Sequence, residues 1–322
     1  MQLYERNNNI DIVSSPRDII VMTHDSEMMS LCCASCGKAE IDDIKLKDCD
    51  GCDLVRYCSD DCRENHKSEH EENCKKRAAE LHDELLFKQP GGSHKGDCPL
   101  CCVPLPLDLK KSFMYMCCSK VICIGCNHAN KMREDERRLQ RTCPFCREPL
   151  PTTKKEWDKQ RMKRVEANDP VALYQQGGRQ FNEGEYQSAF EYFTKAAKLG
   201  FADAHCELSN MYRWGKGVEK DKGKEIHHAT EAAIRGHPDA RYNLGWNEMS
   251  IGNYERAVKH YIIAATQGDD DGIKELLDLF KEGLMGKEEL AAALRAHQAA
   301  VDATKSPQRD AAENYHRMIG LD

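Results

Sequence analysis

The chain has 322 residues, of which 40% are hydrophobic and 31% charged, and its net charge at pH 7 is −7. A chain of this length is expected to form two or three domains. The negative charge argues against nucleic acid as a partner of the whole protein, and no apolar run approaches the length of a membrane-spanning helix. Of the eighteen cysteines only Cys206 lies beyond residue 146, so the chain divides into a cysteine-rich half and a half with almost none.

Residues 1–30 are polar and without sustained periodicity, and we expect a disordered tail there. The segment also lacks the apolar core of a secretory signal. Disulfides would require an oxidising compartment, so metal binding by reduced cysteines is the favoured interpretation. The expected localisation is cytoplasmic or nuclear.

Residues 33–74 hold eight candidate metal ligands with the spacing C-x2-C-x12-C-x2-C-x5-C-x3-C-x7-H-x3-C. Two cysteines three positions apart can bind one tetrahedral zinc ion, because a tight turn brings both thiolates to the same side. We expect the first and third pairs to share one ion and the second and fourth pairs to share another. The two sets are Cys33, Cys36, Cys58 and Cys62, and Cys49, Cys52, His70 and Cys74. The x3 spacing predicts that each of the last two pairs lies on one face of a helix. The register favours Cys33 over the adjacent Cys32, and His66 is expected at the surface.

This module resembles the MYND finger, of which Tyr57-Cys58-Ser59 is a typical piece. MYND fingers usually bind short proline-containing peptides, and the resemblance implies that role here. Family members usually carry Gln and Trp where this chain has Arg63 and Lys67, so the aromatic wall that would stack on a proline is missing. Basic residues there, in an acidic module, indicate a different or more acidic ligand, or none.

Apolar residues at helical spacing over residues 75–87 predict a short helix leading out of the first module. The sequence Gln-Pro-Gly-Gly-Ser at residues 89–93 then breaks it.

A second cysteine-rich module opens on C-P-L-C at residues 98–101 and closes on C-P-F-C-R at residues 143–147. Cross-brace pairing assigns its eight cysteines to two zinc ions. The first set is Cys98, Cys101, Cys123 and Cys126, and the second is Cys117, Cys118, Cys143 and Cys146.

The second module resembles a RING finger of the eight-cysteine kind found in some ubiquitin ligases. Most RING fingers have C-x-H where this chain has Cys118-Ser119-Lys120, so two adjacent cysteines must supply two ligands. A three-ligand or vacant second site, or substitution by His128, stays open. The resemblance implies contacts to a ubiquitin-conjugating enzyme and its ubiquitin through Leu100, Pro144 and Arg147. The alternative is that Leu100 and Pro144 only shape the zinc turns and that Arg147 is an exposed charge.

From Pro170 onward a pattern repeats. The motif A-A-x-x-G occurs three times, ending at Gly200, Gly236 and Gly268, at spacings of 36 and 32 residues. Each unit is predicted to be a pair of helices, with glycine as a left-handed C-cap. The motif G-x-G-V-x-K-D at residues 215–221 is expected to be a loop in the longer middle unit, and a fourth unit is expected over residues 273–303. The segment resembles Sel-one-like (Sel1) repeats, which implies an α-solenoid with a concave surface for a protein partner.

Other residues of the repeats are expected to serve packing or the surface, since no ligand spacing supports a site there. They are His227, His228, His260 and His297. We expect Trp214 and Trp246 in the packing of the solenoid, and Cys206 as a buried small apolar residue. The basic run over residues 159–164 alternates with acidic residues and is interpreted as a solvated helix face.

These patterns predict a multidomain, mainly α protein, in which two small zinc-stabilised cross-brace modules with little β structure precede an α-α solenoid. The predicted segments are a disordered tail (1–30), a MYND-like finger (33–74), a helical linker (75–97), a RING-like finger (98–150), a charged helical linker (151–169), Sel-one-like repeats (170–303) and a loose tail (304–322).

The expected cofactor is zinc, with four ions. The predicted function is a zinc-binding interaction scaffold that recruits substrates for ubiquitin transfer through its RING-like finger. The alternatives are an active RING-type ubiquitin-protein ligase and a MYND-type transcriptional cofactor. The expected partners are proteins, bound by the concave face of the repeats and by the MYND-like finger, and a ubiquitin-conjugating enzyme; no membrane and no nucleic acid is expected. No residue stands out as a covalent catalyst.

Overall fold

The computed structural model of the protein describes residues 32–40 and 44–320. The predicted disordered tail, residues 1–30, lies outside the described residues. The chain divides into two compact units, Met1–Leu85 and Leu86–Asp322. None of the helices in the described part combines the length and apolar character that crossing a membrane requires.

The described part of the first unit contains a two-stranded hairpin and nearly all of a long helix. Strand β1 (Lys47–Asp48) pairs antiparallel with β2 (Arg56–Tyr57), and helix α1 (Asp60–Leu86) follows. The helix was predicted to begin near residue 75, but it starts inside the first module and runs on as one element. The apolar core consists of little more than Cys33, Leu46 and Tyr57. So small a core needs a bound metal or another staple for stability.

The second unit begins with the second cysteine-rich module. A 3-10 helix (Leu109–Lys111) leads into strand β3 (Ser112–Tyr115), which forms an antiparallel hairpin with β4 (Lys120–Cys123). Helix α2 (Ile124–Glu136) follows β4 directly. Tyr115 and Ile122 are fully buried and pack with four of the cysteines, so the cysteines themselves make up much of the core.

Nine helices lie between the second module and residue 303. They are α3 (Lys154–Glu166), α4 (Pro170–Asn182), α5 (Tyr186–Lys198), α6 (Ala202–Trp214), α7 (Lys222–Ile234), α8 (Pro238–Ser250), α9 (Tyr254–Ala265), α10 (Asp270–Lys281) and α11 (Lys287–Ala303). The pairs α4/α5, α6/α7 and α8/α9 pack most extensively, and each pair also contacts the next. The mainly α architecture with a helical-repeat second half is therefore confirmed.

The three glycines of the repeat motif have φ angles of 81°, 87° and 90° at Gly200, Gly236 and Gly268. These left-handed values end the second helix of each pair, where a residue with a Cβ atom would be strained. The predicted loop at residues 215–221 lies between α6 and α7, and its Asp221 side chain accepts a hydrogen bond from the amide of Lys224 at the start of α7. Both features of the sequence pattern are confirmed.

The predicted loose tail, residues 304–322, is instead a further helix, α12 (Pro307–Met318), which packs against α2 of the second module. Ser306 caps its first turn, and its Arg309 is 4% exposed. The prediction was wrong because this segment has few apolar residues to indicate a packed helix. The contact that orders the helix lies some 180 residues away along the chain.

The two tryptophans of the repeats were predicted to be packed inside, but Trp214 is 63% and Trp246 is 50% exposed. Trp214 is the last residue of α6, and the guanidinium of Arg213 lies 5.3 Å from the ring centre of Trp246. Cys206, by contrast, is buried in an apolar cluster, as predicted.

Candidate metal centres

Four tetrads of cysteine and histidine side chains come together among the described residues. In each tetrad the ligand atoms all lie within 4.8 Å of one another. The tetrads are Cys33/Cys36/Cys58/Cys62, Cys49/Cys52/His70/Cys74, Cys98/Cys101/Cys123/Cys126 and Cys117/Cys118/Cys143/Cys146. All eighteen cysteines are free thiols, so disulfides do not compete for any of them.

The spacing of the sulfur atoms fits a tetrahedral zinc ion. Zinc bound to thiolates at about 2.3 Å places neighbouring sulfurs roughly 3.8 Å apart. The Sγ atoms of Cys58 and Cys62 are 3.6 Å apart, as are those of Cys49 and Cys74. The Sγ atoms of Cys101 and Cys123 are 3.8 Å apart. The four tetrads therefore have both the donor atoms and the dimensions that zinc requires.

Three of the C-x2-C pairs adopt one common turn. In each, the residue four positions after the first cysteine has a left-handed backbone, with φ of 73° at Gly37, 56° at Cys102 and 60° at Arg147. Its amide donates to the carbonyl of that first cysteine at 2.8–2.9 Å. The same turn closes each time with a bridge between flanking residues, such as that between Asp97 and Pro104. The left-handed residues thus belong to the zinc turn and are not isolated strain.

In the first module, the helix supplies fewer ligands than the spacing predicted. Cys58 lies before α1, and Cys62 lies in its first turn, where the Cys62 amide donates to Ser59 Oγ. The i,i+4 interpretation is wrong for this pair and holds only for His70 and Cys74. His66 is also not a surface residue, because Tyr57 Oη lies 3.1 Å from its Nδ1 and its ring stacks on that of His70.

In the second module, a tight turn resolves the problem of the adjacent cysteines. Cys117 and Cys118 lie in the turn of the β3–β4 hairpin, and Ser119 after them has a φ of 55°. Cys117 Sγ is 3.3 Å from Cys146 Sγ, and Cys118 Sγ is 3.6 Å from Cys143 Sγ. The structure thus brings all four cysteines to the second site. His128 lies on α2, not in a loop, and its ring packs against a tyrosine ring of α12.

Without a cation the thiols in each tetrad must share protons. Burial alone would raise the pKa of Cys33, but hydrogen bonds from backbone amides outweigh it and lower the pKa to about 6. In the same tetrad, interactions with the neighbouring thiols Cys36 and Cys62 raise the pKa of Cys58 to about 12. The same contrast recurs between Cys98, whose pKa is lowered to about 7, and Cys126, whose pKa burial raises strongly. A divalent cation would remove this conflict by stabilising all the thiolates together.

Arg309 of α12 reaches the first site of the second module. Its guanidinium donates to the carbonyls of Val103 and Pro104 at 3.0 and 2.7 Å, and lies 3.9 Å from the Cys101 sulfur. Four thiolates around one zinc leave a charge of −2, and a guanidinium beside them offsets it. The sequence offered no signal for this residue, because Arg309 lies far outside the cysteine spacing.

The three residues that the RING resemblance implies occupy the rims of the two sites. Leu100 is 46% exposed, Arg147 is exposed, and Pro144 is half-buried. Arg147 occupies the left-handed position of a zinc turn, which fixes its backbone.

Comparison with known families identifies two of the three segments. The MYND finger family matches residues 33–74, and the Sel1 repeat family matches residues 172–201, 202–237 and 238–269. Residues 33–74 are a MYND finger, and residues 172–269 form three Sel1 repeats. Each matched repeat contains one of the helix pairs α4/α5, α6/α7 and α8/α9. MYND fingers and Sel1 repeats generally mediate protein–protein contacts.

Individual relatives are distant. An uncharacterized protein of Neisseria meningitidis serogroup B (strain ATCC BAA-335 / MC58) is 28% identical over 100 residues, covering 31% of this chain and 21% of that protein. The chain thus spans about a fifth of the length of this curated relative.

Two solved structures share the repeat type. A Sel1 repeat protein from Oxalobacter formigenes has a TM-score of 0.41 at 20% identity, covering 60% of this chain and 86% of that one. A protective antigen of uropathogenic Escherichia coli with an SLR fold has a TM-score of 0.36 at 23% identity, and the match covers 54% of this chain and 37% of that one. The assignment of the repeats depends on the family match and on the observed helix pairs.

Proposed function

We propose that the protein binds four zinc ions and recruits protein substrates for ubiquitin transfer, using the second zinc module to hold a ubiquitin-conjugating enzyme. The observation that carries the proposal is the cross-braced arrangement of eight cysteines at residues 98–146, within the same compact unit as the repeats. RING-type transfer needs no covalent catalyst, because its rate gain comes from holding the charged enzyme in a reactive pose.

The residues available for that contact are accessible. Leu100 offers an apolar side chain beside one zinc turn, and Pro144 shapes the other. Arg147 projects from a backbone that the turn holds in place, and a guanidinium can bridge two carbonyl groups of the donor ubiquitin and the enzyme. Two zinc-anchored turns would thus present these three side chains.

The repeats offer a candidate surface for the substrate. Trp214 and Trp246 are exposed, and Trp and Arg are the side chains that most often dominate the energy of protein interfaces. Arg213 is held by Glu225 at 2.9 Å and by Asn243 at 3.0 Å while it lies over the Trp246 ring. An indole fixed in this way loses little conformational entropy when a partner binds.

The test is self-ubiquitination by the full-length, zinc-loaded chain in a reconstituted reaction with ubiquitin, activating enzyme and a panel of conjugating enzymes. We expect transfer that Leu100→Ala and Arg147→Ala each reduce at least tenfold, which corresponds to about 1.4 kcal/mol of lost transition-state stabilisation.

The second module provides matched controls for both variants. Leu109→Ala removes another exposed leucine, which is 71% exposed against 46% for Leu100. Arg138→Ala removes an exposed arginine that also has a left-handed backbone, with φ of 51°. Both controls should retain transfer. Absence of transfer with every conjugating enzyme would leave an adaptor without ligase activity, and equal loss in tests and controls would refute the assigned contact residues.

A further inference from the structure

Besides the four tetrads, the described residues hold a further cluster of side chains that can bind a metal, within the second unit. His94, Asp203 and His237 place their ligand atoms within 4.8 Å of one another. His94 lies in the segment between α1 and the second module, Asp203 in the first turn of α6, and His237 directly before α8. The three residues come from separate parts of the second unit, so no sequence motif connects them.

The distances in this cluster match a coordination sphere. The Nε2 atoms of His237 and His94 lie 3.0 and 3.4 Å from Asp203 Oδ1. Ligands at about 2.0–2.1 Å from a tetrahedral zinc ion would lie roughly 3.3 Å from each other. The His237 contact alone would also fit a simple ion pair, so the cluster must be judged by its third member.

The contact with Asp203 leaves His94 poorly satisfied. Its side chain is 4% exposed, its Nε2 lies 3.4 Å from Asp203 Oδ1, which is long for a hydrogen bond, and its Nδ1 has no hydrogen-bond partner among the described residues. A buried polar group left without a good partner is destabilising. Coordination of a metal by Nε2 would replace the long contact and would explain why a histidine is buried here.

His237 precedes the first helix of its repeat unit, a position that is filled differently in each unit. Asp269 caps its helix by accepting a hydrogen bond from the amide of Gly272 at 2.7 Å, whereas Phe201 makes no side-chain capping bond. His237 makes no capping bond either, and its Nε2 lies 3.0 Å from Asp203 Oδ1. The side chain at this position is therefore directed to the cluster and not to the helix end.

The surroundings favour a cation. Besides Asp203, the carboxylates of Glu207 and Asp239 act on this cluster. Lys95 is nearby, but its ammonium group donates to the carbonyl of Leu107 at 2.6 Å. Imidazole is a borderline ligand, and a set of two imidazoles and one carboxylate suits zinc better than calcium or magnesium.

We propose that His94, Asp203 and His237 form a fifth site for a divalent transition metal of the zinc class. Three protein ligands leave the fourth position to water. The metal would tie the segment before the second module to the first helices of two successive Sel1 repeats. Because this site lacks thiolates, we expect it to bind zinc more weakly than the four tetrads.

The experiment counts zinc per chain by native mass spectrometry on full-length protein equilibrated with excess zinc and then desalted. The wild type should hold one ion more than Asp203→Asn and one more than His94→Ala. His227→Ala, which removes an exposed histidine on α7, should hold as many as the wild type. The result is the difference of one ion, so it does not depend on the occupancy of the thiolate sites.

A second measurement keeps the proposal testable if His94→Ala folds poorly. Zinc titrated into protein already loaded at its tight sites should raise the melting temperature of the wild type and of His227→Ala, but not that of Asp203→Asn, which preserves the volume of the side chain. Equal ion counts in the wild type and Asp203→Asn, or an equal shift of melting temperature in both, would overturn the proposal.

Discussion

Two adjacent glycines on α4 provide a sharp test of how the repeats pack. A Cβ atom added at Gly177 would lie 2.7 Å from Cδ1 and Cε1 of Phe193, whereas one added at Gly178 would meet nothing within 4 Å. Neither glycine has a positive φ, so alanine fits the backbone at both. The two substitutions therefore share their effect on the helix and differ in packing alone.

The expected free energies follow from these distances. Glycine to alanine inside a helix stabilises by about 1 kcal/mol, so Gly178→Ala should raise the free energy of unfolding by about that amount. Carbon atoms pack at about 3.5–4.0 Å, and Phe193 is 1% exposed and enclosed by the core. At Gly177 the same gain in helix stability is opposed by overpacking, which should cost about 1–3 kcal/mol. The net effect of Gly177→Ala on the free energy of unfolding should therefore lie between no change and a decrease of about 2 kcal/mol.

The measurement is thermal and urea unfolding of the zinc-saturated full chain, followed by far-UV circular dichroism. A difference of about 1–3 kcal/mol between the two variants corresponds to roughly 2–12 °C in melting temperature for a unit of this size. If both alanine variants shifted the transition equally and in the same direction, the contact between α4 and α5 would not be as tight as described.

Two further predictions concern the second unit. Arg309→Ala should lower the free energy of unfolding by about 2–3 kcal/mol, because the carbonyls of Val103 and Pro104 lose their donor. Urea denaturation measures this change. A decrease no larger than the one caused by replacing an exposed surface arginine with alanine would contradict the prediction. Burial beside His205 holds the pKa of His228 at about 4, so the unfolded chain alone takes up this proton between about pH 6.5 and pH 4. This contribution to stability is complete above that window and is lost as the pH falls through it. In the His228→Asn variant, the urea midpoint should therefore fall less than in the wild type as the pH is lowered from about 6.5 to about 4. An equal fall in both proteins would show that protonation of His228 does not contribute to the loss of stability.

The sequence was most informative where a feature depends on local spacing. The cysteine pairs indicated the metal ligands because a zinc turn spans only four residues, and the glycines at 200, 236 and 268 marked the ends of helix pairs because a left-handed C-cap favours glycine. In two of the repeats, a glycine on the first helix leaves room for an aromatic ring on the second helix. Gly177 faces Phe193, and Gly245 faces Tyr261.

Features that depend on distant contacts were missed. Arg309 reaches the second module from more than 200 residues away, and its segment has too few apolar residues to indicate a buried helix. The sequence did not indicate that Trp246 is exposed. A large apolar side chain is usually assigned to the core, and the helical pattern predicts which face of a helix is apolar but not which parts of that face the neighbouring helices cover. The site formed by His94, Asp203 and His237 has no spacing of its own, since each ligand comes from a different element.

The packing of α12 bears directly on the proposed function. Besides Arg309, the salt bridge between Lys111 and Glu313 and the ring contact between His128 and Tyr315 tie this helix to the second module. A ligase module on a flexible linker samples many positions, and its effective concentration at a bound substrate falls as the linker lengthens. A module fixed to the repeats samples few positions. Under the proposed function, a substrate held by the repeats would therefore be modified only at lysines that this fixed geometry places near the charged conjugating enzyme, so lysine position rather than affinity alone would select the product.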